Sequence, residues 1–476
     1  MIAIEAVPKR YAWGSYDRLQ RLFRDCGTLG PAGEPGVPGP LAEMWFSGHA
    51  GSPSLLHDAD APDIPGPVNL DDAIRGHTDY MVGPTASRMF GPVLPYLFKV
   101  ISARIPLSLQ VHPIDFEARA GYNREQDAGV PRQSPERSFK DMLAKHEMVV
   151  ALEPFEASVG FMPGALPRRM LKLVDHPVAA DMVADLSGDK PSPNAVVADA
   201  MMPVASRYWT SSQRRIFRAF HLAVTAPADR SAGVADALCD ALTRLADSEG
   251  SPLQPSRRTM RLAFDNACKA AAAFPDDPSV LALLLMNPVR LGPGESVFIP
   301  AGLPHAYIRG TAAEIMTNSD NVLRAGMTPK HKDIPNLLRS LNCSPAVPVD
   351  PRAASFGTFV TRDVATYRPH VNEFMLAYGR VGASEGQSES VWPVLRRLAA
   401  RYGDSVIRRE SRRIALPSQG PRVLLCCSGL LHCADDEGDR VLRQGQAVFV
   451  PAAAGHIRIE PVGNAAGSFL LASTPF

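Results

Sequence analysis

Apolar positions along the first 160 residues come in short runs, alternating or continuous, cut by Pro and Gly clusters at 31–40, 62–67 and 92–95. That pattern predicts strands joined by loops. The stretches 96–101 (YLFKVI) and 108–112 (SLQVH) read as buried strands. Side chains two apart on a strand share a face, so Leu109 and Val111 oppose Ser108, Gln110 and His112. From about Pro167 to Asn287 the period becomes helical. Residues 212–224 carry Ile216, Phe217 and Phe220 on one face, and 233–246 and 257–273 repeat apolar residues at helical spacing. Residues 279–286 look like a fourth helix, opened by Asp276-Asp277-Pro278-Ser279. Strand texture returns after Pro288 and runs to about Met327, and 336–340 reads as a short helix. Three prolines at 345–351 mark a linker, and 352–476 is again strand-like with one helix near 391–402.

An internal echo organises these pieces. Residues 291–305 (LGPGESVFIPAGLPH) and 442–456 (LRQGQAVFVPAAAGH) share Leu, Gly, Val, Phe, Pro, Ala and His without a gap. A Gly turn, an apolar strand, a Pro bend and a His entering the next strand make the second half of a cupin-type jelly-roll hairpin. The fold expected is mainly β with an α-helical insert: two jelly-roll barrels plus a helical domain. Residues 1–160 and 288–343 would form the first barrel, 161–287 the insert, and 344–476 the second barrel. Insertion of a domain into a surface loop is sterically tolerable.

Bulk properties narrow the setting. The chain has 476 residues, 45% hydrophobic and 21% charged, which fits a globular protein of two to four domains. A net charge of +1 gives no reason to expect nucleic acid or a charged membrane as partner. Seven scattered cysteines without a CxxC pair suggest reduced thiols. No secretory h-region opens the chain, and the longest apolar run, 280–286, is too short to span a bilayer. A cytoplasmic monomer acting on a small molecule is expected.

Gln110 and His112 lie on one face of an otherwise greasy strand. A single core histidine is ordinarily just hydrogen-bonded, but other chemistry falls in the same proposed barrel. Glu147, two residues after Lys145, enters the apolar strand 147–152, and a carboxylate there wants a cation or solvent. His305 follows the Pro bend, ahead of Tyr307. Barrels bring inward residues of different strands together. Two imidazoles, a carboxylate and an amide oxygen make a mixed N/O site that suits zinc. The neutral amide would leave the metal more electrophilic than a second carboxylate would.

Seven stretches carry a resemblance: YAWGS (11–15), LAEMW (41–45), PYLFKV (95–100), SLQVHP (108–113), KHEM (145–148), PHAY (304–307) and NSDNVLRAGMTPK (318–330). In this order they resemble the type I mannose-6-phosphate isomerases, zinc enzymes of the cupin superfamily. The resemblance implies one zinc on Gln110, His112, Glu147 and His305, a helical domain inserted in the catalytic barrel, and a catalytic Arg324. It implies interconversion of mannose 6-phosphate and fructose 6-phosphate through an enediol-type intermediate. Lys145 and Glu314 are the candidate proton-transferring groups. Lys99, Lys330 and the Ser108 hydroxyl could hold the phosphate, and Trp13, Glu43 and Tyr307 could line the pocket.

The chain also departs from that family's pattern. Ala144-Lys145-His146-Glu147 stands where His-Lys-Pro-Glu is usual, and neighbours on a strand face opposite ways, so His146 is a poor substitute for the missing histidine. In the second barrel His456 echoes His305, but Cys426, Cys427 and His432 lack the Gln-x-His spacing, and a degenerate, metal-free barrel is expected. The alternatives are another cupin enzyme for a different sugar phosphate, or a non-catalytic sugar-phosphate-binding cupin.

Overall fold

The computed structural model describes residues 1–26, 39–57, 67–188, 190–247, 254–348, 358–360, 363–382, 392–402 and 416–476. The end of the expected linker, residues 349–351, therefore lies outside the described residues. The architecture is mostly antiparallel sheet with a helical layer. A nine-stranded sheet and a ten-stranded, branched sheet dominate, and a three-stranded sheet flanks the first. Among the described residues no sheet closes into a ring of paired strands.

The branched sheet centres on the 13-residue strand His305–Thr317. Its second half pairs on one side with Tyr96–Ala103 and on the other with Glu147–Ala151. Its first half pairs with Phe155–Phe161 and, through His305, with Leu109–Val111. The strand Ile2–Glu5 does not join this group. It sits between Ala447–Val450 and Leu55–His57, in the sheet of the C-terminal strands. The echoed segments fold alike: Gly294 and Gly445 turn with φ of +85° and +82°, and the strands Ser296–Ile299 and Ala447–Val450 follow. A side chain at either glycine would be strained.

Helices occupy Leu166–Leu171, Pro177–Ser187, Ala195–Met201, Ser211–Thr225, Val234–Asp247 and Pro255–Ala273. Thr210 and Gln213 form a reciprocal capping box at the start of Ser211–Thr225. Pro278–Leu285 is a 3-10 helix rather than the α-helix its start signal suggests. Every residue from Ser279 to Leu285 is buried, so the run has no polar face to set a helical period.

The reading of residues 1–160 as strands and loops needs correction. Leu70–Gly76, Thr78–Met81, Gly83–Phe90 and Asp115–Asp127 are helical. Pro84 punctuates the sequence but stands in the first turn of its helix, where proline is favourable. Asp115–Asp127 buries only Ala118 and Gly121, too narrow a stripe to show as an apolar period. A Cβ on Gly121 would run into the Phe139 ring, so that helix can lie flat only on a glycine.

Candidate metal centre

Strand pairing gathers the expected ligands. His305 faces Gln110 across the ladder, and Gln110 faces Arg324 of Leu323–Gly326 on its other side. Glu147 opens its strand opposite Met316 and Ile299. His112 follows directly after Leu109–Val111, a strand shorter than the sequence suggests. His112, Glu147 and His305 are all buried, with their donor atoms within 4.8 Å of one another. His112 Nε2 lies 2.9 Å from Glu147 Oε1, and His305 Nε2 lies 3.3 Å from Oε2. The Gln110 amide is 3.2 Å from His305 Nε2.

Proton counting shows what this group lacks. His112 Nδ1 is 2.7 Å from the Asn321 carbonyl, and His305 Nδ1 is 3.1 Å from the Leu303 carbonyl. Burial pulls the His112 imidazole down to about 4, so at neutral pH the ring carries one proton for two acceptor contacts. With that proton on Nδ1, its Nε2 lone pair faces a carboxylate oxygen and has no hydrogen-bond donor. Burial also opposes charge on Glu147, but His112 and Lys145 outweigh it and hold the carboxyl well below its usual range. A neutral imidazole and an ionised carboxylate turned toward one point are what a divalent cation requires. Turning the Gln110 amide over would present its oxygen there. The donor set thus fits a metal.

Beside it lies a chain of buried acids and cations. Lys145 Nζ is 3.1 Å from Glu147 Oε1. The Tyr307 hydroxyl contacts both Glu314 (2.7 Å) and Glu147 (3.1 Å), and its one proton can serve only one of them at a time. Lys99 Nζ lies 3.3 Å from Glu314 and 3.9 Å from Glu43, above the Trp45 ring, whose other close cation is Lys9. Burial raises the Glu314 carboxyl, Lys99 opposes the rise, and Glu147 and Glu43 add to it. Lys99 is thus engaged by carboxylates rather than standing free for a phosphate.

Tyr307 and Glu314 are seven apart, an odd spacing that puts residues of a regular strand on opposite faces. They meet because the strand is bulged between Tyr307 and Arg309 and Gly310 takes a φ of +127°. The extra residue turns the later half over and brings Glu314 to the Tyr307 side.

Arg324 is half-buried near Tyr11, whose ring stacks on Trp13 at 5.7 Å and lies under Lys330 Nζ at 4.9 Å. Burial lowers Lys330, and Arg324 adds to that. Arg324, Trp13 and Lys330 therefore form a second cluster around Tyr11. Ser108 is half-buried just before its strand, and among the described residues no hydrogen bond ties it to either cluster. His146 turns away from the metal group: its ring packs on Phe298 and its Nδ1 accepts from the Ala301 N–H. In the second half of the chain His456 is exposed, and His432 pairs with Asp439 and Glu460.

Sequence reasoning missed the clamp behind the ligands. Asn321 is fully buried and its carbonyl receives the His112 ring. Its side-chain oxygen accepts from the N–H groups of Lys140 and Asp141, and its amide donates to Asp141 and to the Leu143 carbonyl. Asp141 in turn accepts from the Ser319 hydroxyl and the Asp320 N–H. Asn321 lies inside the 318–330 motif, so the signal was present without a role attached.

The profile of phosphomannose isomerase type I, catalytic domain, matches residues 1–164. Mannose-6-phosphate isomerase of Salmonella typhimurium is 34% identical over 337 residues, 71% of this chain and 73% of that protein. The human mannose-6-phosphate isomerase is 27% identical over 71% of this chain and 72% of its own length. A crystal structure of a phosphomannose isomerase variant from Salmonella typhimurium superposes with a TM-score of 0.73 at 26% identity, covering 100% of both chains. A zinc-bound crystal structure of a mannose 6-phosphate isomerase superposes at 0.72 and 25% identity, covering 100% of this chain and 99% of that one. With a buried His-Glu-His group on the same architecture, this chain belongs to the type I mannose-6-phosphate isomerases.

Proposed function

We propose that this chain interconverts mannose 6-phosphate and fructose 6-phosphate by proton transfer through an enediol-type intermediate, with zinc held by Gln110, His112, Glu147 and His305. The buried donor set beside the Tyr307–Glu314–Lys99 chain carries this reading. Zinc bound there would supply positive charge for the oxygens of the reacting carbons. Glu314 is the proposed base, moving the proton between the two carbons. Tyr307 orients it, and Lys99 balances its charge when it is ionised. Lys145 is the alternative base, tied to Glu147. Arg324 stabilises the developing oxyanion in a pocket with little water. Lys330 and Ser108 take the phosphate, and Tyr11 and Trp13 form the wall behind the sugar.

The proposal includes a single zinc per chain and two jelly-roll barrels, with residues 161–287 inserted in the first and 344–476 forming the second. It also includes a cytoplasmic monomer, on the sequence grounds given above. Among the described residues no helix is long and apolar enough to cross a membrane. A coupled assay of mannose 6-phosphate conversion, run with and without a chelator, tests the core of it. Turnover that disappears on metal removal and returns with zinc is expected. No turnover by zinc-loaded protein refutes the substrate, and full turnover without metal refutes the mechanism.

A further inference from the structure

A cleft of about 550 Å³ opens on the outer side of the central strands, lined by Ser102, Thr311 and Glu156, away from the metal group. None of the residues given a role above lines it. Cations among its lining residues outnumber carboxylates by two. Most are spoken for: Arg18 pairs with Glu153 at 2.8 Å, and Lys269 and Arg290 share Glu156. Two are not. Arg104 stacks on the Tyr16 ring at 5.3 Å, and among the described residues its guanidinium donates only to the Ala12 carbonyl. Arg309 is exposed, and its side chain has no hydrogen bond or ion pair among the described residues.

The bulge explains how Arg309 comes to be there. On a regular strand it would share the face of Tyr307 and place a guanidinium in the buried site. The bulge that brings Glu314 inward turns Arg309 out into the cleft instead. Ser15 supplies an independent sign. It lines the cleft at 5% exposure, and its hydroxyl has no hydrogen-bond partner. An orphaned buried hydroxyl in the same cleft as an unpaired guanidinium invites an anionic acceptor.

We propose that this cleft is a second ligand site, for a nucleoside diphosphate. Arg309 takes the phosphates, and the base lies against the exposed Tyr16 ring beside Arg104. The volume is within the range of small-molecule sites. A bare anion would need the cations but not the ring.

The test is calorimetric titration of the zinc-loaded enzyme with ADP, GDP and UDP separately, and with inorganic pyrophosphate, at low ionic strength. One or more of the nucleotides should saturate a single site more tightly than pyrophosphate, and excess mannose 6-phosphate should not displace it. Arg309→Ala should weaken that binding about 10-fold or more, the loss of a charge-assisted contact. Tyr16→Ala should weaken it several-fold while leaving pyrophosphate unchanged. Both variants should keep the basal isomerase rate. No saturable binding below 1 mM, on the order of the weakest useful affinity, overturns the proposal. So does binding that neither variant alters, or that mannose 6-phosphate displaces.

Discussion

Asn321→Ala tests whether the loop bearing Lys145 and Glu147 is held from behind. The substitution keeps the backbone carbonyl that receives His112 and removes the side chain that ties residues 140–143 to residue 321. Two backbone N–H groups lose their acceptor, and the Asp141 and Leu143 oxygens lose their donor. A neutral hydrogen bond is worth about 1 kcal/mol net, and a buried partner left bare costs about 1–3. Leu143 is exposed and can recruit water, which keeps the sum near the lower figure per bond. The expected loss is about 5 kcal/mol, about 1 for each of the five bonds, read by urea denaturation at fixed free zinc and again with a chelator. Because Glu147, the proposed carboxylate ligand, sits a few residues beyond the clamp, zinc affinity should fall about 10–100-fold, as for other groups that orient metal ligands. A variant destabilised by under about 1 kcal/mol, with unchanged zinc affinity, refutes the clamp. Asn321→Asp sharpens the comparison: it keeps an acceptor but sets a carboxylate against Asp141, whose own carboxyl burial already raises.

Other outcomes follow from the same geometry. Zinc at about 100 times its dissociation constant should stabilise the protein by about 2.7 kcal/mol over the chelated form, measured as a shift in thermal midpoint; no shift would mean the site is not loaded. Gln110→Ala should lose metal affinity or rate with an unchanged circular dichroism spectrum, and an unfolded variant would make the amide structural instead. Glu314 must be ionised to accept a proton, and its carboxyl is raised, so kcat should decline as pH falls through that raised value. Glu314→Gln should abolish this acid limb and cut the rate about 10²–10⁴-fold; a surviving limb would assign it to another group. Arg422→Met strips a fully buried guanidinium from three carbonyls, of Pro417, Gly455 and Pro451. At about 1 kcal/mol per orphaned carbonyl it should cost about 3 kcal/mol with kcat of the folded enzyme unchanged. A stabilised variant would show that desolvating the charge had cost more than the bonds return.

The gathering of His112, Glu147 and His305 was legible in the sequence because each is a polar residue on a face that is otherwise apolar, and strand alternation states that directly. The fate of His146 was legible for the same reason. Glu314 and Tyr307 were singled out, but their meeting was not legible: alternation separates them, and only the bulge at Arg309, which leaves no mark in hydropathy, reunites them. Asp115–Asp127 stayed hidden because a helix resting on an alanine and a glycine shows no apolar stripe. The expected helix 279–286 lies one residue from the observed Pro278–Leu285 at each end but with the wrong winding, since a segment buried on every side has no periodicity to read. Lys99 illustrates a different gap. Its charge suggested a phosphate, and its place in the ladder opposite Trp45 and Glu314 gave it carboxylates.

The pairing of Ile2–Glu5 with Ala447–Val450 has a consequence for synthesis. The strand at residues 2–5 finds one of its two neighbours only after residues 447–450 have been made, about 440 residues later. At about 5–20 residues per second that interval is roughly 20–90 s. Tyr96 waits almost as long, for its hydroxyl ends on the carbonyls of Pro421 and Ala472. During that time the nascent chain carries an open sheet edge and an apolar face without its cover, the state most prone to wrong pairing. The strands around His305–Thr317 can begin to fold early, but Tyr96 and Ile2–Glu5 are locked in place only once residues 421–472 have been made.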